Sequence, residues 1–330
     1  MSAPSAIARR LLALSNLHGV GPMTLGQIAE QPDFMAASID DLGVLAPKLR
    51  KALAEPTAWP VAQGKADRDL EQAARHKARI LCPMDAAYPA LLRSAKNSPF
   101  FLYVRGSLPT DQTKSIAVVG TREPTEHGKK TCERLSTFFA SNGWSIVSGL
   151  ALGIDAVAHS SALAAHGHTV AVLAHGLHTI APTQHEYLAH QILDSGGALV
   201  SEFPFGMDPY IHQFVKRDRT LAGLANGVVM VQSAREGGSL HASRAALQHG
   251  RHLVVPLPTE RDRNAHEPKI EANMLLANCD DGAKTELLKC AQEDLSRLTI
   301  LTGRNDYPYL IERICGYEST ETRPSRERQC

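Results

Sequence analysis

The segment SIAVVG, residues 115–120, has the pattern of a buried β-strand that closes on a small-residue turn. Five later segments share the pattern, and a helical stretch separates each from the next. They are WSIVSGL at 144–150, TVAVLA at 169–174, ALVSEF at 198–203, GVVMVQS at 227–233 and HLVVPLP at 252–258. Strands that alternate with helices predict a doubly wound parallel sheet, covered by helices on both faces. Such sheets bind ligands beyond the carboxyl ends of their strands, so the residues there are the candidates for function.

The composition fits a folded protein without an overall charge bias. The chain has 330 residues, of which 43% are hydrophobic and 21% charged, and its net charge is +1. Only a local basic patch would therefore attract a polyanion. The six cysteines form no CxxC pair, and no apolar stretch is long enough to span a membrane. With no signal-peptide pattern either, we expect a cytoplasmic protein with no membrane contact. The histidine spacing predicts no metal site, and no cofactor is expected.

Three parts are predicted along the chain. Residues 1–64 form a helical N-terminal domain, in which LHGVGP at 17–22 resembles a helix-hairpin-helix loop. That loop could contact DNA phosphates, or it could be a plain turn or a protein-docking module. Residues 57–64 are expected to be irregular, since Pro56 and Pro60 break helices. Residues 65–288 form the Rossmann-like domain, with short strands at 79–82 and 100–104 along its edge. Residues 289–330 are weakly patterned, and the polar end at 318–330 predicts a disordered tail.

Two loops after predicted strands could hold an anion. Gly120 and Thr121 end the first strand, and Arg122 follows with a forked cation that suits a phosphate. A tight turn with a surface arginine is the alternative. Ser148, Gly149 and Gly153 lie in the second loop, before a helix that Asp155 would cap. Asp155 and His159 could in principle exchange a proton, but we expect a cap and a packing histidine.

A basic patch precedes and follows the fifth strand. Residues 214–251 hold six lysines and arginines against two acidic residues, a net charge of +4. Lys216, Arg217 and Arg219 begin the patch, and Phe214 beside them could stack on a base. The alternative is a solvated helix face with an aromatic core anchor. Gly238 and Ser239 come where the next helix starts, with Ser239 as its N-cap, and free N–H groups there could hold a phosphate.

The predicted helices lie at 127–142, 154–166, 184–195, 216–225 and 239–249.

These motifs together resemble the DprA/Smf family, the DNA-processing proteins of bacterial natural transformation. The matching blocks, in family order, are YPALL at 88–92, LYVRG at 102–106, AVVGTR at 117–122, SGLALGIDAVAH at 148–159, AVLAHGL at 171–177, SEFP at 201–204, KRDRTLAGLA at 216–225, GSLHASRAALQHGR at 238–251 and ANMLLANCDDGA at 272–283.

The resemblance implies an extended Rossmann-like fold and a function. Members bind single-stranded DNA without strong sequence preference, dimerise and load the recombinase RecA, and the family is not known as an enzyme. Its DNA pocket corresponds here to the loops after the first two strands, the basic segment and the helix start. The residues carried over are Gly120, Thr121, Arg122, Ser148, Gly149, Gly153, Lys216, Arg217, Arg219, Gly238 and Ser239.

The chain departs from the family pattern at several positions. Ala174, His178 and Ala181 replace a glycine, an aspartate and a tyrosine, and Asp218 replaces an asparagine inside the basic segment. Asp218 should weaken DNA binding unless Arg217 or Arg219 pairs with it. The winged-helix domain of many members is not recognisable after residue 290. Two alternatives stay open, a nucleotide N-glycosidase-like enzyme that uses Glu236, and a nucleotide-binding sensor that acts in phage defence. A dehydrogenase is disfavoured because GxGxxG is missing.

Overall fold

The computed structural model describes residues 5–316 of the chain. It begins with a helical region whose buried leucines, among them Leu11, Leu25 and Leu49, form a core of their own. The turn after the first helix leaves His18 and Gly19 exposed, and Gly19 has a φ of +79°. The helices of this region are α1 (Ala6–Ser15), α2 (Pro22–Ala29), α3 (Ile39–Leu45), α4 (Pro47–Ala52) and α5 (Ala58–Arg75).

Helix α5 runs through the predicted boundary at residue 64. The expectation of irregular chain at 57–64 is wrong, because α5 begins at Ala58. Pro60 lies in the first turn of α5, where its missing N–H has no helical partner to lose. Further along, Ala66 and Ala73 share a buried cluster with Ile80 of the first strand, so one helix joins the two regions. The division of the chain into domains stays a prediction.

One nine-stranded sheet organises the rest of the described chain, in the order β1-β2-β6-β5-β4-β3-β7-β8-β9. The six strands expected from the sequence are confirmed, and all of them pair in parallel. The two short strands expected at the edge are also present, and they pair antiparallel. The strands are β1 (Ala78–Leu81), β2 (Leu102–Gly106), β3 (Ser115–Val119), β4 (Ser145–Ser148), β5 (Thr169–Leu173), β6 (Ala198–Ser201), β7 (Gly227–Met230), β8 (His252–Pro256) and β9 (Leu298–Leu301).

Helices cover both faces of the sheet, as predicted. Ala117 and Val119 of β3 pack into one buried layer, while Ile116 and Val118 pack into the other. Alternate residues of a strand point to opposite faces, so the strand's apolar run serves two cores. The helices are α6 (Ala90–Ser94), α7 (Glu126–Ser141), α8 (Ile154–Ala164), α9 (Glu186–Asp194), α10 (Ile211–Gly223), α11 (Ser239–Gln248), α12 (Glu260–Asn264), α13 (Glu271–Asn278), α14 (Asp281–Leu288) and α15 (Tyr307–Cys315).

The C-terminal part adds to the sheet. Strand β9, which the sequence analysis did not predict, pairs in parallel with β8. Helix α15 buries Leu310 and Ile314 in the same layer as Phe139. The predicted disordered tail at 318–330 lies outside the described residues. Between residues 5 and 316, no helix is both long and apolar enough to cross a membrane.

The strand order places a crevice. The chain moves from β3 outward to β6, then returns to the other side of β3 with β7. The connections after β3 and β7 therefore leave in opposite directions and part at the carboxyl edge of the sheet. Ligands of doubly wound sheets bind at such a switch point.

Candidate nucleic-acid interface

A cleft of about 570 Å³ opens at this switch point. Its walls come from the loops after β3, β4 and β7 and from the beginnings of α10 and α11. Seven of the predicted site residues line it, namely Gly120, Thr121, Arg122, Phe214, Arg217, Gly238 and Ser239. Sequence positions 120 and 239 are far apart, and the sheet topology brings them together.

The loop after β3 lies tightly against its neighbours. A side chain at Gly120 would place its Cβ 2.6 Å from Ile154 Cγ1. Thr121 donates its N–H to the Gln232 carbonyl at 2.9 Å, and its own carbonyl accepts from the Ile154 N–H at 3.2 Å. Gly153 has a φ of +79°, and a Cβ there would lie 2.5 Å from the Arg122 carbonyl carbon. These contacts hold the backbone that carries Arg122 at the cleft.

Arg122 and Phe214 form the accessible cationic and aromatic part of the cleft. The Arg122 side chain is exposed, and its Cζ lies 5.4 Å from the centre of the Phe214 ring. Arg217 lies 5.6 Å from the same ring. An exposed guanidinium beside a half-buried ring can hold a phosphate and a base of one nucleotide.

Arg217 is a buried brace. It is only 6% exposed, and its Nη1 donates to the carbonyls of Gly149 at 2.7 Å and Val172 at 2.9 Å. Its Nε donates to Asp218 Oδ1 at 2.9 Å. A Cβ at Gly149 would overlap the Arg217 guanidinium, so glycine is required there. Arg217 therefore joins α10 to the ends of β4 and β5 under the cleft.

Two carboxylates feel the charge of this arginine: Asp155, which is buried, and Asp218, whose side chain is 13% exposed and pairs with it. Burial raises the pKa of Asp155, and Arg217 opposes that rise. Burial likewise raises the pKa of Asp218 to about 6, with Arg217 and Arg122 opposing. The expectation that Asp155 caps its helix is wrong, because Gly153 is the N-cap residue and Asp155 accepts from the Ala151 N–H at 3.2 Å. With Asp218, the cleft lining holds two carboxyl groups next to the buried Arg217 guanidinium.

Lys216 and Arg219 lie outside the cleft lining. Arg219 Nη2 is 3.8 Å from Glu202 Oε2, just after β6, and Lys216 is exposed and close enough to favour the Glu202 carboxylate electrostatically. Burial raises the pKa of Glu202. The basic segment that reads as one patch in the sequence is thus divided between two sides of α10.

Ser148 lies under the cleft, and Gly238 and Ser239 line it at the start of α11. Ser148 is fully buried and donates its hydroxyl to the Val118 carbonyl at 2.7 Å. Gly238 is the N-cap residue of α11 and Ser239 is its first residue, so the prediction of Ser239 as N-cap is wrong by one position. No side chain caps this helix start.

His159 and Glu236 do not contribute acid–base groups to the cleft. His159 is buried, its Nδ1 lies 2.7 Å from Thr169 Oγ1, and burial lowers its pKa to about 3. It is therefore a neutral packing residue rather than a partner of Asp155. Glu236, the residue on which the glycosidase alternative rested, is exposed and outside the cleft lining, where the carboxylates are those of Asp155 and Asp218.

Gln232 is a positioning residue that the sequence analysis did not find. Its carbonyl holds Thr121, its Oε1 accepts from the Thr125 N–H at 3.1 Å, and its Nε2 donates to Thr125 Oγ1 at 2.9 Å. It ties the end of β7 to the start of α7. A single glutamine after a strand gives no signal in the sequence, because its partners are about a hundred residues away.

Comparison with known proteins finds relatives that share much of this sequence. The model of the family described as DNA recombination-mediator protein A matches residues 79–284. Protein Smf of Escherichia coli (strain K12) is 35% identical over 255 residues, which cover 74% of this chain and 64% of that protein. DNA processing protein DprA of Bacillus subtilis is 36% identical over 169 residues, covering 51% of this chain and 57% of that protein. The chain thus spans less than two thirds of the length of either relative.

Two solved structures share the fold. DNA processing protein A from Streptococcus pneumoniae superposes with a TM-score of 0.63 at 23% identity, covering 81% of this chain and 96% of that one. DNA processing protein A from Helicobacter pylori, whose structure describes a single-stranded DNA binding mode, has a TM-score of 0.56 at 24% identity. That superposition covers 72% of this chain and 97% of the Helicobacter chain.

Proposed function

Because this chain belongs to the DNA recombination-mediator protein A family, we propose that it binds single-stranded DNA in the cleft and acts in DNA processing during transformation and recombination. One observation carries the proposal. The exposed Arg122 guanidinium lies beside the Phe214 ring, in a cleft bordered by glycine-rich loops. A cation and an aromatic surface at one place suit a flexible polyanion with accessible bases.

Each part of the cleft has a role in this proposal. Arg122 neutralises a phosphate, and Phe214 stacks on the neighbouring base. The backbone at Gly238 and Ser239 offers N–H groups at a helix start to another phosphate. Lys216 and Arg219 meet the strand where it passes over the outer side of α10. Arg217, Gly149 and Ser148 keep the floor in place.

The partners follow from the family resemblance and belong to the same proposal. We expect a cytoplasmic homodimer that loads the recombinase RecA onto the bound strand, without being an enzyme itself. RecA loading is tested by whether the protein speeds RecA filament formation on a strand already covered by a single-strand binding protein.

The binding itself is tested by fluorescence anisotropy with single-stranded and double-stranded oligonucleotides at two salt concentrations. We expect a salt-sensitive preference for the single strand. For a variant that removes the Arg122 guanidinium, Arg134→Ala is the matched control, since it removes one exposed cation from α7 outside the cleft lining. Equal affinity for both DNA forms, or binding of mononucleotides alone, would contradict the proposal.

A further inference from the structure

Exposed apolar side chains border the cleft at the start of α10. Ile211 is 91% exposed and Val215 is 46% exposed, and both line the cleft one helical turn apart. Tyr210, just before the helix, is 58% exposed, and its ring stacks on His212 with an interplanar angle of 9°. We call Tyr210, Ile211 and Val215 the apolar rim. Exposed apolar side chains grouped at a cleft indicate an interaction surface.

The rim and the phosphate-binding groups are close enough to serve one ligand. Phe214 lies between Ile211 and Val215 in the chain, and its ring is in contact distance of Arg122. Arg122, on the loop after β3, lines the same cleft as the rim residues Ile211 and Val215. A strand whose phosphate is held by Arg122 would therefore present its next bases to α10.

We infer that the apolar rim contacts the unstacked bases of the bound strand and so makes the site select single strands over duplex; this rests on the proposed function. In a duplex the base faces are stacked on each other, and the rim would meet only sugars and phosphates. In a single strand the faces are free, and covering Ile211 and Val215 with them removes apolar surface from water on both sides.

A protein partner fits this surface less well. An apolar protein face laid on the rim would also cover Arg122, and a cation buried without a counter-charge is costly. A nucleic acid strand brings apolar bases and anionic phosphates at the spacing that the rim and Arg122 require. The charge next to the rim therefore favours bases as its occupant.

The test compares the wild-type protein with the double variant Ile211→Ser/Val215→Ser. The probes are a labelled oligothymidylate, an abasic strand of the same length with the same sugar–phosphate backbone, and a duplex. We expect the variant to lose about tenfold in affinity for oligothymidylate. Its affinity for the abasic strand and its salt dependence should not change, because no phosphate contact is removed.

The control is Val61→Ser, which removes an apolar side chain of similar exposure from α5, outside the cleft. It should bind all probes as the wild type does, and the urea midpoints of all variants should agree. An equal loss on both strands, or no loss at all, would overturn the inference while leaving the proposed function intact. Loss of a wild-type dimer in the double variant, in step with loss of DNA binding, would assign the rim to a second copy of the chain instead. A wild-type protein that binds no strand overturns both proposals.

Discussion

The two edges of the parallel sheet both carry cations, but they differ in the residues that surround those cations. At the carboxyl edge, Arg122 stands beside Phe214 and the glycine-rich loops. At the opposite edge, a cavity of about 480 Å³ is lined by Lys96, Lys289 and Arg297, with Asp294 3.2 Å from Arg297. Neither Phe, Tyr nor Trp lines this second cavity.

Helix polarity explains the difference. Helices α8 and α11 begin at the carboxyl edge, so their free N–H groups add positive potential to the cleft. At the opposite edge α11 and α14 end, and their free carbonyls add negative potential, which Lys289 at the end of α14 offsets. Cations at that edge therefore complement the protein itself. A count of positive charges does not locate a phosphate site unless the direction of the helices is known.

The largest expected effect is on stability, and it should differ between the buried Arg217 under the cleft and the exposed Arg122 at its surface. Arg217→Ala should lower the free energy of unfolding by about 3–5 kcal/mol, because Asp155 and Asp218 would stay buried without their cation. Urea denaturation at neutral pH measures this change. Arg122→Ala, which removes an exposed cation of the same cleft, should change stability by less than about 0.5 kcal/mol. Equal urea midpoints for the two variants would show that Arg217 does not stabilise the fold.

The next effect concerns DNA binding at the carboxyl edge. Arg122→Ala should lower affinity for single strands of every sequence and reduce the slope of log K against log salt by about one. Anisotropy titrations over a range of salt concentrations supply both quantities. An unchanged slope with reduced affinity would mean that Arg122 acts on the loop rather than on a phosphate.

A smaller effect should depend on pH. The pKa of Asp218 is raised to about 6 by burial, with Asp155 adding to the rise and Arg217 and Arg122 opposing it. A phosphate nearby favours the protonated, neutral form, so affinity for single strands should rise as pH falls through this pKa. Asp218→Asn should bind more tightly than wild type near neutral pH and should vary less with pH. If both proteins show the same pH profile, another group is responsible.

The smallest effect is expected at the opposite edge. The double variant Lys96→Ala/Lys289→Ala removes two cations, one more than Arg122→Ala, yet should change affinity for a short single strand by less than about twofold. The same titration measures it. A loss as large as that of Arg122→Ala would mean that the strand reaches both edges, and the contrast between them would then fail.

Much of the fold could be predicted because its signals are local. Largely apolar segments of six or seven residues that close on small-residue turns predicted six strands, and their alternation with helices predicted the doubly wound sheet. Strand β9 was not predicted because LTIL at 298–301 is short and stands alone in a polar stretch. Helix α10 begins at Ile211, earlier than predicted, because the Gln213 side chain accepts from the Tyr210 N–H at 2.6 Å.

Seven of the predicted site residues line the cleft, but the sequence does not separate the roles of the cations among them. Of the six cations between residues 214 and 251, three hold protein carbonyls. Arg217 bonds Gly149 and Val172, Arg244 bonds Leu287, and Arg251 bonds Leu91. A sequence pattern does not distinguish an arginine that holds a carbonyl from one that is free for phosphate.

The sequence by itself determined the strand–helix alternation, the family and the loops that border the cleft, since each depends on the order of nearby residues. The tertiary structure decided which of those residues reach the cleft, because that depends on contacts between segments far apart in the chain. Arg122 is exposed and Arg217 is buried, although the family resemblance implies a place in the DNA pocket for both. The carbonyls of Gly149, after β4, and Val172, in β5, accept hydrogen bonds from Arg217, whereas Arg122 stays available to solvent or ligand.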